Sequence, residues 1–171
     1  MVEKRIKNLE KERLILFNEL ETLAEEKLNY SISPNKWSIN QHLYHTWLSE
    51  LLTEKYIQTK TNYPESLTTM SSSAHLKKFI LKSSLKLGFK FKAPKIITDF
   101  PEKIDFNKLN KLWGDSRLSF LNLAIELREK KIDHKAINRH PILGRINMKV
   151  TVDFFEFHYN HHLKAINLLK N

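Results

Sequence analysis

DFFEFHYNHH, residues 153–162, sets three histidines within five positions of a segment that otherwise reads as one helix. That helix runs from about Asn147 to Leu169, and the face carrying His158 and His162 also carries Phe155, Ile166 and Leu169. An advance of about 100° per residue puts His158 and His162 on one side, about 40° apart and one turn along. His161 points about 60° to the other side of His158 and is less well placed to pair with His162. Two imidazoles therefore face the place where a helix buries Leu or Phe. A buried polar group left unpaired costs about 1–3 kcal/mol, so each ring needs a hydrogen bond or a metal. An i, i+4 pair offers a divalent transition ion two ligands from one rigid element, and imidazole nitrogen suits Zn, Ni, Cu and Fe. The plain alternative is one core histidine satisfied by a hydrogen bond, with the others facing water.

A third ligand has to come from a neighbouring helix. KWSINQHLYHTWLSE, residues 36–50, offers His42, His45 and Glu50. His45 lines up with Leu48 and Leu52 on a face that can be buried, whereas His42 lies about 60° away from it, so His45 is preferred. Glu50 is a candidate base, with a structural role as the competing expectation. His75, His134 and His140 fall near helix ends or loops, where capping or solvation is the expected role. Trp37, Trp47 and Trp113 are expected to pack in the core rather than to form a substrate platform.

The remaining chain repeats the helical pattern. From Val2 to about Leu28, Ile6, Leu9, Leu16, Phe17, Leu20, Leu23 and Ala24 mark one apolar face. SPNKWS, residues 33–38, breaks the pattern at Pro34, and Ser38 with Gln41 makes a capping box for a second helix to about Lys60. One of Ser71, Ser72 or Ser73 caps a third helix to about Gly88, with Leu76, Phe79, Ile80 and Leu87 expected inward and Lys78, Lys82 and Lys86 outward. Residues 89–104, with Pro94 and Pro101, read as a loop crossing the bundle. A fourth helix spans about Asn107 to Lys131, and HPILG, residues 140–144, ends the loop after it. Three glycines in 171 residues argue against a many-stranded fold. The expectation is all-α: a four-helix bundle with a long crossover loop and one accessory helix, a single domain over residues 1–171.

Composition narrows the chemistry. No cysteine is present, which excludes disulfides, zinc-thiolate sites and a cysteine nucleophile, and leaves His, Asp and Glu. No run of 18 apolar residues exists, and MVEKRIKNLEKER lacks an apolar signal core, so a cytoplasmic protein without a membrane partner is expected. The net charge is +10, and the interval between Glu65 and Asp99 holds no acid but Lys77, Lys78, Lys82, Lys86, Lys90, Lys92 and Lys95. This is either a solvated lysine face or a surface for phosphates or anionic lipid. Few arginines and no nucleic-acid-binding signature argue against nucleic acid.

PNKWSINQHLYHTWLSE, residues 34–50, resembles the signature of the DinB-like (DinB/YfiT-like) superfamily of metal-dependent helical proteins: a Trp-Ser pair, a histidine eight residues after the Trp and an acid five beyond it. Those positions are Trp37, Ser38, His45 and Glu50. HPILGRINMKVTVDFFEFHYNHH, residues 140–162, is similar to the family's His-Pro-x-x-Gly turn and its helix with two histidines four apart, at His140, Pro141, Gly144, His158 and His162. Residues 62–106 match by helix count alone. The resemblance implies an up-down-down-up four-helix bundle in a bacterial protein, with a divalent metal, zinc or nickel, on His45, His158 and His162. It also implies candidate activities: transfer of a low-molecular-weight thiol such as bacillithiol or mycothiol to a small electrophile, metal-dependent hydrolysis, or isomerisation. A homodimer is a further expectation. The alternative function is a non-catalytic bundle or binding module that uses the lysine-rich third helix for an anionic partner.

Overall fold

The computed structural model describes residues 1–33, 36–71, 73–86, 97–101 and 103–170. Its helices are α1 (Val2–Leu20), α2 (Glu25–Asn29), α3 (Ile39–Thr61), α4 (Ser73–Lys86), α5 (Phe106–Glu129) and α6 (Met148–Lys170). Strands β1 (Asn138–His140) and β2 (Gly144–Ile146) form a small antiparallel hairpin between α5 and α6. The expected break at Pro34, the cap at Ser72, the inward Leu87, the helix end near Gly88, Pro94 and Lys90, Lys92 and Lys95 lie outside the described residues. So do the side chains of His75 and Lys86.

The fold class is helical, as the periodicity predicts. Long helices α1, α3, α5 and α6 pack pairwise, α1 on α5, α5 on α3, α3 on α6 and α6 on α1, around Phe17, Leu43, Trp113, Leu127 and Phe155. Local signals fix their ends. Ser38 Oγ accepts from Gln41 N at 3.2 Å while Gln41 Oε1 accepts from Ser38 N at 3.0 Å, the full capping box. Asp105 Oδ1 accepts from Lys108 N at the start of α5, and Asn147 Oδ1 accepts from Val150 N at the start of α6. The end of α5 closes with Ile132 N donating to Leu127 O and Lys131 N to Arg128 O, while Lys131 adopts φ 55° in the left-handed region where glycine is usual.

Three sequence expectations change. The first helix does not run through to Leu28. It stops at Leu20, and the extended backbone of Ala24 redirects the chain so that α2 lies on α3 with Leu28 buried. No proline or glycine marks this break; tertiary packing overrides a helical pattern. The HPILG turn belongs to a hairpin, with His140 opposite Gly144, whose φ of +78° a side chain would strain.

The third change concerns α4, whose expected apolar face is turned outward and whose Lys78 is turned inward, while Lys82 is exposed as expected. Leu76, Phe79 and Ile80 are 64%, 68% and 54% exposed, and Ala74 and Leu81 are the residues it buries. The cause is electrostatic. Asp153, buried on α6, accepts from Arg5 Nη2 at 2.6 Å and from Lys78 Nζ at 2.8 Å, so Lys78 turns inward. Arg5 also grips Glu156 with two nitrogens, at 2.7 Å each, which ties α1 to α6 as Lys78 ties α4.

Candidate metal centre

Helices α3 and α6 pack against each other and bring His45, His158 and His162 together, only 3%, 8% and 6% exposed. The Nε2 atom of His158 lies 3.1 Å from Nε2 of His45 and 3.0 Å from Nε2 of His162. One ligand atom from each ring falls within 4.8 Å of the others. A tetrahedral ion with Zn–N bonds of about 2.0–2.1 Å sets its ligand nitrogens about 3.3–3.4 Å apart, so the two spacings that involve His158 stand within a few tenths of an ångström of that value, and the third is no wider than 4.8 Å.

Proton counting decides what this arrangement lacks. His45 Nδ1 stands 2.7 Å from the carbonyl oxygen of Ile97, which can only accept, so Nδ1 carries the proton and Nε2 presents a lone pair. His158 Nε2 in a neutral ring is either donor or acceptor. As a donor it has one proton for two neighbours, and as an acceptor it meets the lone pair of His45. At least one of the two short contacts therefore has no full hydrogen bond of its own. A charged imidazolium is opposed by the surroundings: burial pushes the pKa of all three rings down, in His158 and His162 well below the ordinary value. In His45 the Ile97 carbonyl partly offsets that burial effect. A divalent cation at the centre satisfies all three lone pairs at once, and the residues fit one.

The outer contacts orient the rings. His162 Nδ1 lies 2.9 Å from His42 Nδ1, so the histidine that spacing alone set aside buttresses the cluster from outside. Trp37 lies over the same rings, 4.8 Å from His45 and 5.9 Å and nearly parallel to His162, with Phe100 edge-on at 5.1 Å. The expectation of a simple packing role for Trp37 thus misses its place at the site. Phe154 stacks on His158 at 5.1 Å, but His158 Nδ1 itself has no hydrogen-bond partner among the described residues. His161 sits beside His162 on α6 and is not part of the converging group.

The other candidates take structural roles. Glu50 is buried with both oxygens engaged: Arg117 Nη2 donates at 2.9 and 2.6 Å, and Trp113 Nε1 donates at 2.9 Å. Burial pushes its carboxyl pKa up, and Arg117 and Trp113 offset this only in part. A carboxylate so enclosed links α3 to α5. His140 shapes the hairpin as expected, its Nδ1 accepting from Ile142 N and Leu143 N, and burial lowers its pKa to about 4. His134 is exposed in the connection before the hairpin.

A signal for His42 existed in the sequence, since it stands one turn before His45. The helical wheel placed it off the buried face, and it reaches the cluster only because His162 extends toward it from α6. Trp37 precedes α3, where periodicity gives no direction at all.

These features define a helical protein with a buried three-histidine cluster compatible with a metal site. Comparison with known proteins places it more narrowly: the model of the DinB superfamily matches residues 8–166, and the chain belongs to that family. The uncharacterized protein YuaE of Bacillus subtilis (strain 168) is 22% identical over 158 residues, covering 92% of each chain. No solved structure matches.

Proposed function

We propose that this chain is a cytoplasmic metal-dependent enzyme, one domain over residues 1–171, that transfers a low-molecular-weight thiol to a small electrophile. In this reading His45, His158 and His162 ligate one divalent transition ion, zinc or nickel. The observation that carries it is the convergence of three Nε2 atoms that neutral imidazoles cannot satisfy among themselves. Membership of the DinB superfamily supports it.

An ion held by three neutral ligands supplies a largely uncompensated positive charge, which favours loss of a proton from a thiol or water near neutral pH. The chain's own residues do the rest. Ile97 O holds His45 in the tautomer whose Nε2 faces the centre, and His42 fixes the ring plane of His162. Trp37 and Phe100 form an aromatic wall that excludes water from one side and suits a flat or apolar electrophile. Burial keeps the three rings neutral and therefore able to ligate at neutral pH.

The test is elemental analysis of protein purified without a histidine tag, followed by titration with zinc and nickel. One equivalent of ion per chain is expected, lost in His158→Ala. A folded protein that neither retains nor takes up metal ends the proposal. A screen of thiols against electrophiles with the loaded protein then tests the transfer step: thiol-dependent consumption of an electrophile that His158→Ala lacks is expected, and equal rates in both proteins would remove it.

A further inference from the structure

The inversion of α4 leaves a surface that the histidine centre does not use. We propose that the outward face of α4 docks on an anionic lipid surface, with Leu76, Phe79 and Ile80 entering the interface and lysines meeting the headgroup phosphates.

The three apolar residues stand at the i, i+3, i+4 spacing of one helix face and are each more than half exposed. Lys77 and Lys82 are exposed too, and the helical advance sets them on opposite borders of that face. The ammonium of Lys82 lies 5.1 Å from the ring centre of Phe157, so this border lysine also touches α6. The inner side is already committed, with Ala74 and Leu81 buried and Lys78 paired to Asp153. Lysine stems flanking an apolar ridge are the pattern of a helix lying in a membrane interface.

Charge selects the occupant. Lys77 and Lys82 border the face, and the sequence between Glu65 and Asp99 holds no acid, on a protein of net charge +10. A second copy docking by the same face would set lysine borders against lysine borders. Nucleic acid would meet the lysines but leave three large apolar side chains in water. An anionic bilayer accepts both parts, since phosphates attract the border lysines and the acyl boundary accepts the ridge. No helix among the described residues is long and apolar enough to cross a membrane, so the association lies in the plane of the surface.

The experiment uses the full chain with vesicles of phosphatidylglycerol mixed with phosphatidylcholine, and of phosphatidylcholine alone. Cosedimentation with the anionic vesicles at low salt is expected, weakened at high salt and absent with the neutral ones. Phe79→Ser with Ile80→Ser, and separately Lys77→Glu with Lys82→Glu, should each weaken it on the order of tenfold or more. All four positions are exposed, so circular dichroism should show both variants folded. Phe79→Trp should shift its emission to the blue on anionic vesicles, which a purely electrostatic contact would not cause. Failure of the wild-type chain to bind anionic vesicles at low salt would overturn the proposal. So would binding that the serine variant leaves unchanged, or a face whose substitution alters only oligomeric state or nucleic-acid binding.

Discussion

Two buried polar clusters sit on α3 little more than one turn apart in sequence, and they are built on opposite principles. At Glu50 a carboxylate meets the guanidinium of Arg117 and the indole N–H of Trp113, so its charge and both its oxygens are answered within the protein. At His45 three neutral rings turn lone pairs toward one point with too few protons to share. The first cluster is balanced in charge, although Arg117 Nε and Nη1 lack acceptors among the described residues. The second leaves at least one short contact without a hydrogen bond, a place that a cation would fit. A buried polar group is thus no pointer to function in itself; the unanswered lone pair is.

Breaking each cluster should separate their roles. Glu50→Ala strands a buried guanidinium and should destabilise the fold by about 3–5 kcal/mol in chemical denaturation. Protein that remains folded should still bind one metal ion. His158→Ala should do the converse, removing stoichiometric metal while shifting the stability of the metal-free protein by less than about 2 kcal/mol, since it also removes an unpaired nitrogen. Metal should in turn stabilise the wild type by about 4 kcal/mol at a free concentration a thousand times the Kd, and His158→Ala hardly at all, as thermal melts can record.

Finer changes sharpen the contrast. His42→Phe keeps an aromatic ring beside His162 but removes the Nδ1 contact, so metal affinity should fall about 10- to 100-fold with stoichiometry retained. Competition with a chromophoric chelator measures this, and an unchanged affinity would show that His42 does not position the ligand.

Acid should reveal the histidines directly. His45, His140, His158 and His162 all have folded pKa values below the ordinary 6.5, because burial penalises the charged form. The unfolded chain then binds more protons below about pH 6.5, so stability is full above that pH and is lost as pH falls toward the folded values. For His140 the window runs from 6.5 down to about 4. His140→Gln should flatten the stability profile of the metal-free protein there by one proton, and an unaltered slope would contradict the assignment. The smallest effect is expected at Lys131, where glycine would relieve the left-handed backbone and add up to about 1 kcal/mol.

How far the sequence discloses this molecule differs by element. The long helices, the Ser38–Gln41 capping box and the pairing of His158 with His162 were legible because each depends on spacing within one helix or on a local cap, whereas the meeting of His45 with that pair depends on α3 packing on α6 and was implied by the family resemblance. The orientation of α4 was not. Apolar residues lie on both its sides, and the choice between them rests on Asp153, far away in sequence, drawing Lys78 inward. Three-residue strands are too short for a period-two pattern, so the hairpin at His140–Gly144 read only as a turn. Trp37 and His42 gained their places from contacts between α3, α6 and the segment at Phe100, which no single-helix pattern contains.

Three imidazoles of this chain are proposed to surround a single ion. X-ray absorption at the metal edge, on protein loaded with one equivalent of zinc, reads that coordination shell directly. Three imidazole nitrogens at about 2.0–2.1 Å, with multiple-scattering features from the rings, are expected. A shell dominated by oxygen, or one unchanged in His158→Ala, would contradict that arrangement.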